Sequence, residues 1–462
     1  MNVRILTSLP LILLLYIPSR AQRSPVTPLL IREVTVIDCA GHSPQPGMSV
    51  LISNGRIAVI GHPSDMKVPS NAEILDARGK YLIPGLWNMH VHLGAYAEGR
   101  HSLSIFLAEG VTGVRDMGSP LEDILRLRQE TNDATILGPR MVVAGPIIRG
   151  PAPFQIPMYI SVNDPREGRQ AVEMLMNRGV DFVKVPDAIP HDIYVAVADQ
   201  ARLDHIPYVG HIPPTVLAEE ASDLGQRSIE HLGGRFWGVL IGASTRELEL
   251  HAEEVQMKVQ MSQDILADLE LKEPPPYPNM RSQFTRKLLE SYDDRKATAL
   301  IARFRKNNTW ECPTLVALHT QWTFSAPMIA RWPKMKYTSE DLAWADRIIA
   351  KDAELVAMMQ KAGVGLLAGT DLPPTAKNGT IHDELANLVM AGLTPIQALE
   401  TATRNPARFL GKIASLGTVE RGKLADLVLL NANPLNDIHN TSQISAVIME
   451  GRIVSRKPDV QP

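Results

Sequence analysis

Tyr81 to Gly94 read YLIPGLWNMHVHLG, an extended apolar run that ends by placing His90 and His92 two residues apart. Successive strand side chains point to opposite faces, so residues i and i+2 share one. Both imidazoles can therefore reach one point at the strand's end, as a divalent cation requires of neutral nitrogen ligands. Pro84-Gly85 forms the turn that launches this strand. His-x-His alone is a common pattern, and it gains weight only from ligand-type residues elsewhere in the chain.

Downstream of this run, short apolar segments alternate with longer helical ones, the texture of parallel strands joined by crossover helices. Strands are expected at 86–92, 111–118, 141–148, 180–185, 206–212, 227–232, 309–315 and 364–371. Eight such units predict an α/β fold, a (β/α)8 TIM barrel over residues 84–415. A doubly wound open sheet is the competing arrangement, but the Gly-rich phosphate loop of such a sheet is absent after the first strand. One crossover is anomalous: residues 239–308 are far longer than usual and read as two amphipathic helices joined by a stiff turn at Glu273-Pro274-Pro275-Pro276-Tyr277-Pro278. A covering flank, an oligomer interface and a lid are the roles this insertion could serve.

Before the barrel the pattern changes to strands and tight turns. Asn54-Gly55 between two apolar runs signals a two-residue hairpin, and AEILDARGKYLI reads as a second hairpin. These strands are too few to stand alone. LADLVLLN and SAVIMEGRIVSR, within residues 424–456, repeat the same idiom. A small β-sandwich domain built from both chain ends, residues 22–83 and 416–462, is therefore expected.

The chain of 462 residues has 45% hydrophobic and 21% charged residues, a net charge of -3 and a pI near 6.5. That balance offers no basic footprint for nucleic acid. The expected partner is a small-molecule substrate, with a homo-oligomer left open. Residues 1–21 read as a secretory signal peptide: Arg4, an apolar stretch from Leu9 to Ile17, and small residues at Ser19 and Ala21. The apolar stretch is about half of the roughly 20 residues a membrane span needs. A secreted or periplasmic protein with no membrane attachment after cleavage is expected, an uncleaved anchor being the alternative. Cys39 and Cys312 lie far apart and are expected as two free buried thiols.

In barrels of this kind the active site lies at the C-terminal ends of the strands. His90 and His92 end the first expected strand, Lys184 the fourth, His211 the fifth, His231 the sixth and Asp371 the eighth. Lys184 is the instructive member, because an ammonium has no lone pair to give. An amine that has reacted with carbon dioxide becomes a carbamate, an anion able to bridge two cations.

This set, with PGLWNMHVH at residues 84–92 and IHDELANLVMAGLTPIQALETATRNPARFLG at 381–411, resembles the amidohydrolase superfamily. The branch it is most similar to contains imidazolonepropionase-related and prolidase-like metal-dependent hydrolases. The resemblance implies two divalent metal ions, with zinc the default. His90, His92 and Asp371 would hold one, His211 and His231 the other, and Lys184, carboxylated by carbon dioxide, would bridge them. It implies a hydroxide attacking an amide carbonyl, with Asp371 as the catalytic proton carrier, in a dipeptide or N-acyl amino acid. Hydrolysis of a lactone, carbamate or other ester-like substrate is the alternative. A heterocycle deaminase ranks lower, because related deaminases carry a glutamate after the fifth-strand histidine, where this chain has Ile212-Pro213-Pro214. A non-catalytic metal or ligand binder is the reading from another class.

Around this set, His382 is a candidate to orient Asp371 or contact substrate, Arg149 to bind a substrate carboxylate, and His319 to face the pocket. Asp116 is expected to orient a loop. Glu230 precedes His231 on the opposite strand face and is expected outside the barrel.

Overall fold

The computed structural model describes residues 27–94, 99–152, 155–234, 237–267, 277–322, 338–375 and 379–456. The expected signal peptide and the proline turn at 273–276 lie outside the described residues. The chain opens with strands β1 (Leu29–Val36), β2 (Gln45–Ser53) and β3 (Arg56–Gly61). Asn54 (φ 51) and Gly55 (φ 74) make the tight turn between β2 and β3, both in the left-handed region that a two-residue hairpin demands. The second expected hairpin does not form. β4 (Glu73–Asp76) and β5 (Tyr81–Pro84) each run parallel to β1, on its first and second halves respectively. The reason is Glu33, whose φ of 58 interrupts β1 and leaves two edge segments to be covered.

β6 (Leu86–Val91) starts the α/β body, followed by β7 (Val111–Asp116), β8 (Arg140–Val143), the short parallel pair β9 (Ile147–Arg149) and β10 (Tyr159–Ser161), β11 (Val183–Val185), β12 (Tyr208–Gly210), β13 (Ser228–Glu230) and β14 (Trp310–Cys312). β6–β7–β8 and β11–β12–β13–β14 form two parallel sheets. A few hydrogen bonds join them. Asp181 N donates to Val143 O (2.9 Å), and Leu367 N to Glu311 O (2.9 Å), which brings in the eighth expected segment as an isolated bridge at Leu366. Met89 N then donates to Ala368 O (2.8 Å) and Asp371 N to His90 O (2.9 Å), so the circuit returns to β6.

Every residue of β6 and β7 is buried, as expected of strands covered on both faces. Trp87, Met89, Val142, Phe182, Val209, Cys312 and Leu367 pack together inside the ring. Val114, Val143, Val183, Val185, Ile229 and Leu366 belong to the larger core beneath the helices. Gly113 is required here, since a Cβ would lie 2.2 Å from the Trp87 ring.

Within the long crossover the described residues form helices Gly238–Gly242, Glu247–Ala267, Tyr277–Glu290 and Asp294–Asn307. Phe284 stacks on Trp237, their rings 6.3 Å apart and both nearly fully buried, so this part of the insertion is packed onto the body. Among the described residues no helix is long and apolar enough to cross a membrane. Cys39 and Cys312 are both buried and free.

The far end of the chain supplies β15 (Leu427–Leu430), β16 (Ile444–Met449) and β17 (Arg452–Arg456). β15 pairs with β5, which also pairs with β1, so strands from both ends share one eight-stranded sheet in the order β17-β16-β15-β5-β1-β2-β3, with β4 on β1. The ladder is continuous. It folds around Leu29, Ile31, Val50, Ile57, Leu82, Leu427 and Ile448. Arg140 fastens sheet to body: Nε donates to Asp426 (2.6 Å) and Nη2 to Glu450 (3.0 Å).

Asp426 is 7% exposed, and Arg140→Ala would leave it without its cationic partner. The expected loss is about 1–3 kcal/mol of unfolding free energy in urea. A change below roughly 0.5 kcal/mol, the range of an ordinary surface substitution, would show that the clasp is dispensable.

Candidate active site

Alternation along β11 turns Val183 and Val185 to the helices and Lys184 inward beside Phe182. Its Nζ lies 3.3 Å from His90 Nε2. The His90 ring is 5.3 Å from that of His92 and 4.6 Å from that of His231, which is 5.1 Å from His211. Asp371 meets three of them: its Oδ1 lies 3.3 Å from His92 Nε2 and 3.6 Å from His90 Nε2, and its Oδ2 lies 3.6 Å from His231 Nε2. The structure thus brings all six expected residues to one place. His90, His92 and Asp371 each offer a ligand atom within 4.8 Å of the others.

Each imidazole is oriented through its other nitrogen, as metal-binding histidines ordinarily are. His90 Nδ1 meets Glu230 Oε2 at 2.9 Å, His92 Nδ1 meets Gly118 O at 3.0 Å, and His231 Nδ1 meets Thr314 Oγ1 at 2.5 Å. His211 Nδ1 is hydrogen-bonded to Asp187. Gly234 (φ 112) allows that pair to form, because a Cβ there would lie 2.6 Å from Asp187 Oδ1.

The expected place of Glu230, outside the barrel, is corrected. Glu230 is fully buried inside the ring and holds His90. Its strand alternates as it should, with Ser228 and Glu230 inward and Ile229 outward. His231 departs from that alternation. Its φ of 57 swings its ring back to the same side as Glu230. Arg115, also fully buried, balances Glu230: Nη2 donates to both carboxylate oxygens (2.9 and 2.8 Å), Nε to Met89 O (2.6 Å), and its guanidinium lies over Phe182 and Phe409. Sequence reasoning misplaces Glu230 and misses Arg115, Asp187 and Thr314. Alternation from Ser228 is the signal for Glu230, and nothing comparable marks the other three.

Asp116 orients a loop, accepting from Leu93 N (2.7 Å), Ser119 Oγ (2.9 Å) and Gly118 N (3.2 Å). Arg149 donates to Ser161 Oγ (3.0 Å) and lies over the Tyr159 ring. His382 Nδ1 meets Thr441 Oγ1 (3.0 Å) at the C-terminal unit, and the helix Ile381–Met390 is capped by Thr380 with Asp383, not by His382. His319 is half-buried on the helix Leu315–Trp322, near Asn387. None of these contacts joins Arg149, His382 or His319 to the histidine cluster.

Burial, with Lys184 nearby, holds the His90 imidazole well below its ordinary range, and burial lowers His231 to about 3. Burial also lowers the Lys184 ammonium. Burial alone would raise Asp371, but His90, its hydrogen bond with His92, and His231 hold it well below the usual carboxylate range. The Asp371 carboxylate therefore sits among three imidazoles. His211 Nε2 is buried with no hydrogen-bond partner among the described residues, although Asp187 fixes its ring. An orphaned, oriented imidazole nitrogen beside further imidazoles and a carboxylate fits divalent metal.

Residues 296–454 match the amidohydrolase family. The chain thus carries an amidohydrolase-family domain over those residues. Its solved neighbours include prolidases, and their architecture implies a TIM barrel with an extra domain. A candidate prolidase from Bifidobacterium longum is 25% identical, with a TM-score of 0.70 over 94% of this chain and 96% of that one. Ochratoxinase of Aspergillus niger is 23% identical over 91% of this chain and 85% of its own length. A 5'-deoxyadenosine deaminase of Methanosphaera stadtmanae is 23% identical over 93% of this chain and 94% of its own.

Glu230→Ala would leave the Arg115 guanidinium buried and uncompensated, a loss expected at about 3–5 kcal/mol. Denaturant unfolding of the purified variant checks this. A loss under about 1 kcal/mol would mean that Glu230 is not the counter-charge the geometry indicates.

Proposed function

We propose that this protein is a binuclear metal-dependent hydrolase that cleaves the amide bond of a dipeptide or N-acyl amino acid. The observation that carries the reading is the convergence of His90, His92, Lys184, His211, His231 and Asp371, from five separate strand ends, on one point. His90, His92 and Asp371 would hold one ion and His211 and His231 the second, with carboxylated Lys184 between them. Zinc is the proposed metal. Bound there, divalent ions would polarise the scissile carbonyl and lower the pKa of a water.

The chain's own residues supply positioning and proton transfer. Glu230, Gly118, Asp187 and Thr314 hold the four imidazoles so that the opposite nitrogen faces the centre. Asp371, an anion at the mouth, is placed to take the proton of the attacking water and return it to the leaving nitrogen. Lys184 is nearly fully buried beside His90, away from bulk water. As an ammonium it could donate nothing to a cation; as a carbamate it would offer two oxygens. The amide reading is supported by the prolidase-like neighbours and by the amidohydrolase family match. Export is proposed as well, from residues 1–21, and a mature N-terminus of the protein made in its own host starting at residue 22 would support it, whereas retention of Met1 would oppose it.

Asp371→Asn is expected to fold and to bind metal with reduced affinity while kcat on a cleaved dipeptide falls about 10²–10⁴-fold. Activity within threefold of wild type would remove Asp371 from proton transfer. Reconstitution of chelated protein with zinc is expected to require bicarbonate. Equal recovery in carbon dioxide-free buffer would oppose the carbamate. A panel of dipeptides, N-acyl amino acids, lactones, carbamates and purine nucleosides decides the substrate class: turnover of amides supports the proposal, and turnover of only another class contradicts it.

A further inference from the structure

His231 reaches the cluster through backbone that side-chain-bearing residues avoid. His231 (φ 57) and Leu232 (φ 53) are consecutive left-handed residues, and neither is glycine. Such conformations persist only where the surroundings over-determine them. The over-determination comes from β14 and the loop after it. Glu311 Oε1 accepts the Leu232 amide at 2.9 Å, and Thr314 Oγ1 meets the His231 ring. We propose that Glu311 is a positioning residue that aims His231 at the metal centre by clamping the Leu232 amide. This inference rests on reading His231 as a ligand of the second ion.

Glu311 is well suited to the task. Its side chain is fully buried, and its own backbone is held through both its amide and its carbonyl, with Glu311 N donating to Gly365 O (2.9 Å) and Leu367 N to Glu311 O (2.9 Å). The platform therefore cannot follow the turn if the turn tries to relax. Glu311 Oε2 has no hydrogen-bond partner among the described residues. A buried carboxyl with half its capacity unused is a poor core filler, since an apolar side chain of similar volume would avoid that desolvation. What an apolar residue could not do is receive the amide. Burial pushes the Glu311 carboxyl well above its ordinary range, and glutamine, which keeps an acceptor oxygen in the same place, is its near-isostere.

The same turn bears on His211. Ile212 N donates to Gly233 O (2.9 Å), and a Cβ on Gly234 would lie 3.2 Å from His211 Cβ. Releasing the turn should therefore loosen both imidazoles assigned to one ion while leaving in place His90 and His92, which Glu230 and Gly118 hold independently of it.

The test compares wild type, Glu311→Gln and Glu311→Leu by bound metal per chain after dialysis against a weak chelator, by the visible spectrum of the cobalt-substituted protein, and by kcat and KM. Glu311→Gln keeps the acceptor and is expected to keep two ions per chain with the wild-type spectrum. Glu311→Leu is expected to bind the second ion about 10–100-fold more weakly, the usual effect of losing an outer partner. It should therefore retain about one ion, with an altered spectrum and a fall in kcat larger than any change in KM. If Glu311→Leu does not fold, Glu311→Met takes its place. Two ions and an unchanged spectrum in the apolar variant would overturn the clamp, as would a glutamine variant that behaves like the apolar one. Wild type with no bound metal would instead refute the hydrolase reading on which the clamp depends.

Discussion

The Asp371 amide donates to the His90 carbonyl across 2.9 Å, and the site depends on that closure. It brings the last of the eight segments beside the first. Asn88 reinforces it, its Oδ1 accepting from Thr370 N (3.1 Å) and its Nδ2 donating to Thr370 Oγ1 (2.8 Å). Asp371 itself has a φ of 50, which turns its carboxylate toward the two histidines of the opening strand. Residues separated by some 280 positions therefore become neighbours only when the parallel strands have run their full circuit.

Beneath that closure lies a buried charge pair. Arg115 and Glu230 are both fully enclosed, and an ion pair in such a place is weak evidence of net stability because desolvation offsets the attraction. Its use is geometric. Glu230 orients the His90 ring, Arg115 donates to both Glu230 carboxylate oxygens and to the Met89 carbonyl, and aromatic rings from beside β11 and from the helix Arg404–Phe409 pack over the guanidinium. The histidine cluster is thus built on a layer in which Arg115 and Glu230 are already committed to fixed partners.

The sequence displays the candidate ligands better than it displays what holds them. His-x-His, Lys184, His211, His231 and Asp371 stand at the ends of apolar runs, where strand periodicity and barrel logic locate them. Their partners are set by contacts distant along the chain. Asp187 reads as an ordinary loop residue until His211 is folded onto it, and Thr314 matters only because β13 and β14 end side by side. Glu230 is misplaced because alternation counted backward from His231 crosses a left-handed residue that breaks it. The hairpin expected at residues 72–83 fails for a related reason: both segments pair with β1 on either side of Glu33, and an isolated left-handed glutamate leaves no mark in composition. The type of turn at Asn54-Gly55 is legible because both residue types favour the required φ.

The central claim is that two cations occupy one closed cluster of donors. Anomalous diffraction from crystals grown with zinc tests it most directly. The account expects two peaks, one among His90, His92 and Asp371 and one at His211 and His231, with extra density bridging from the Lys184 amine. A single peak with an unmodified lysine, or none within reach of these residues, would contradict it.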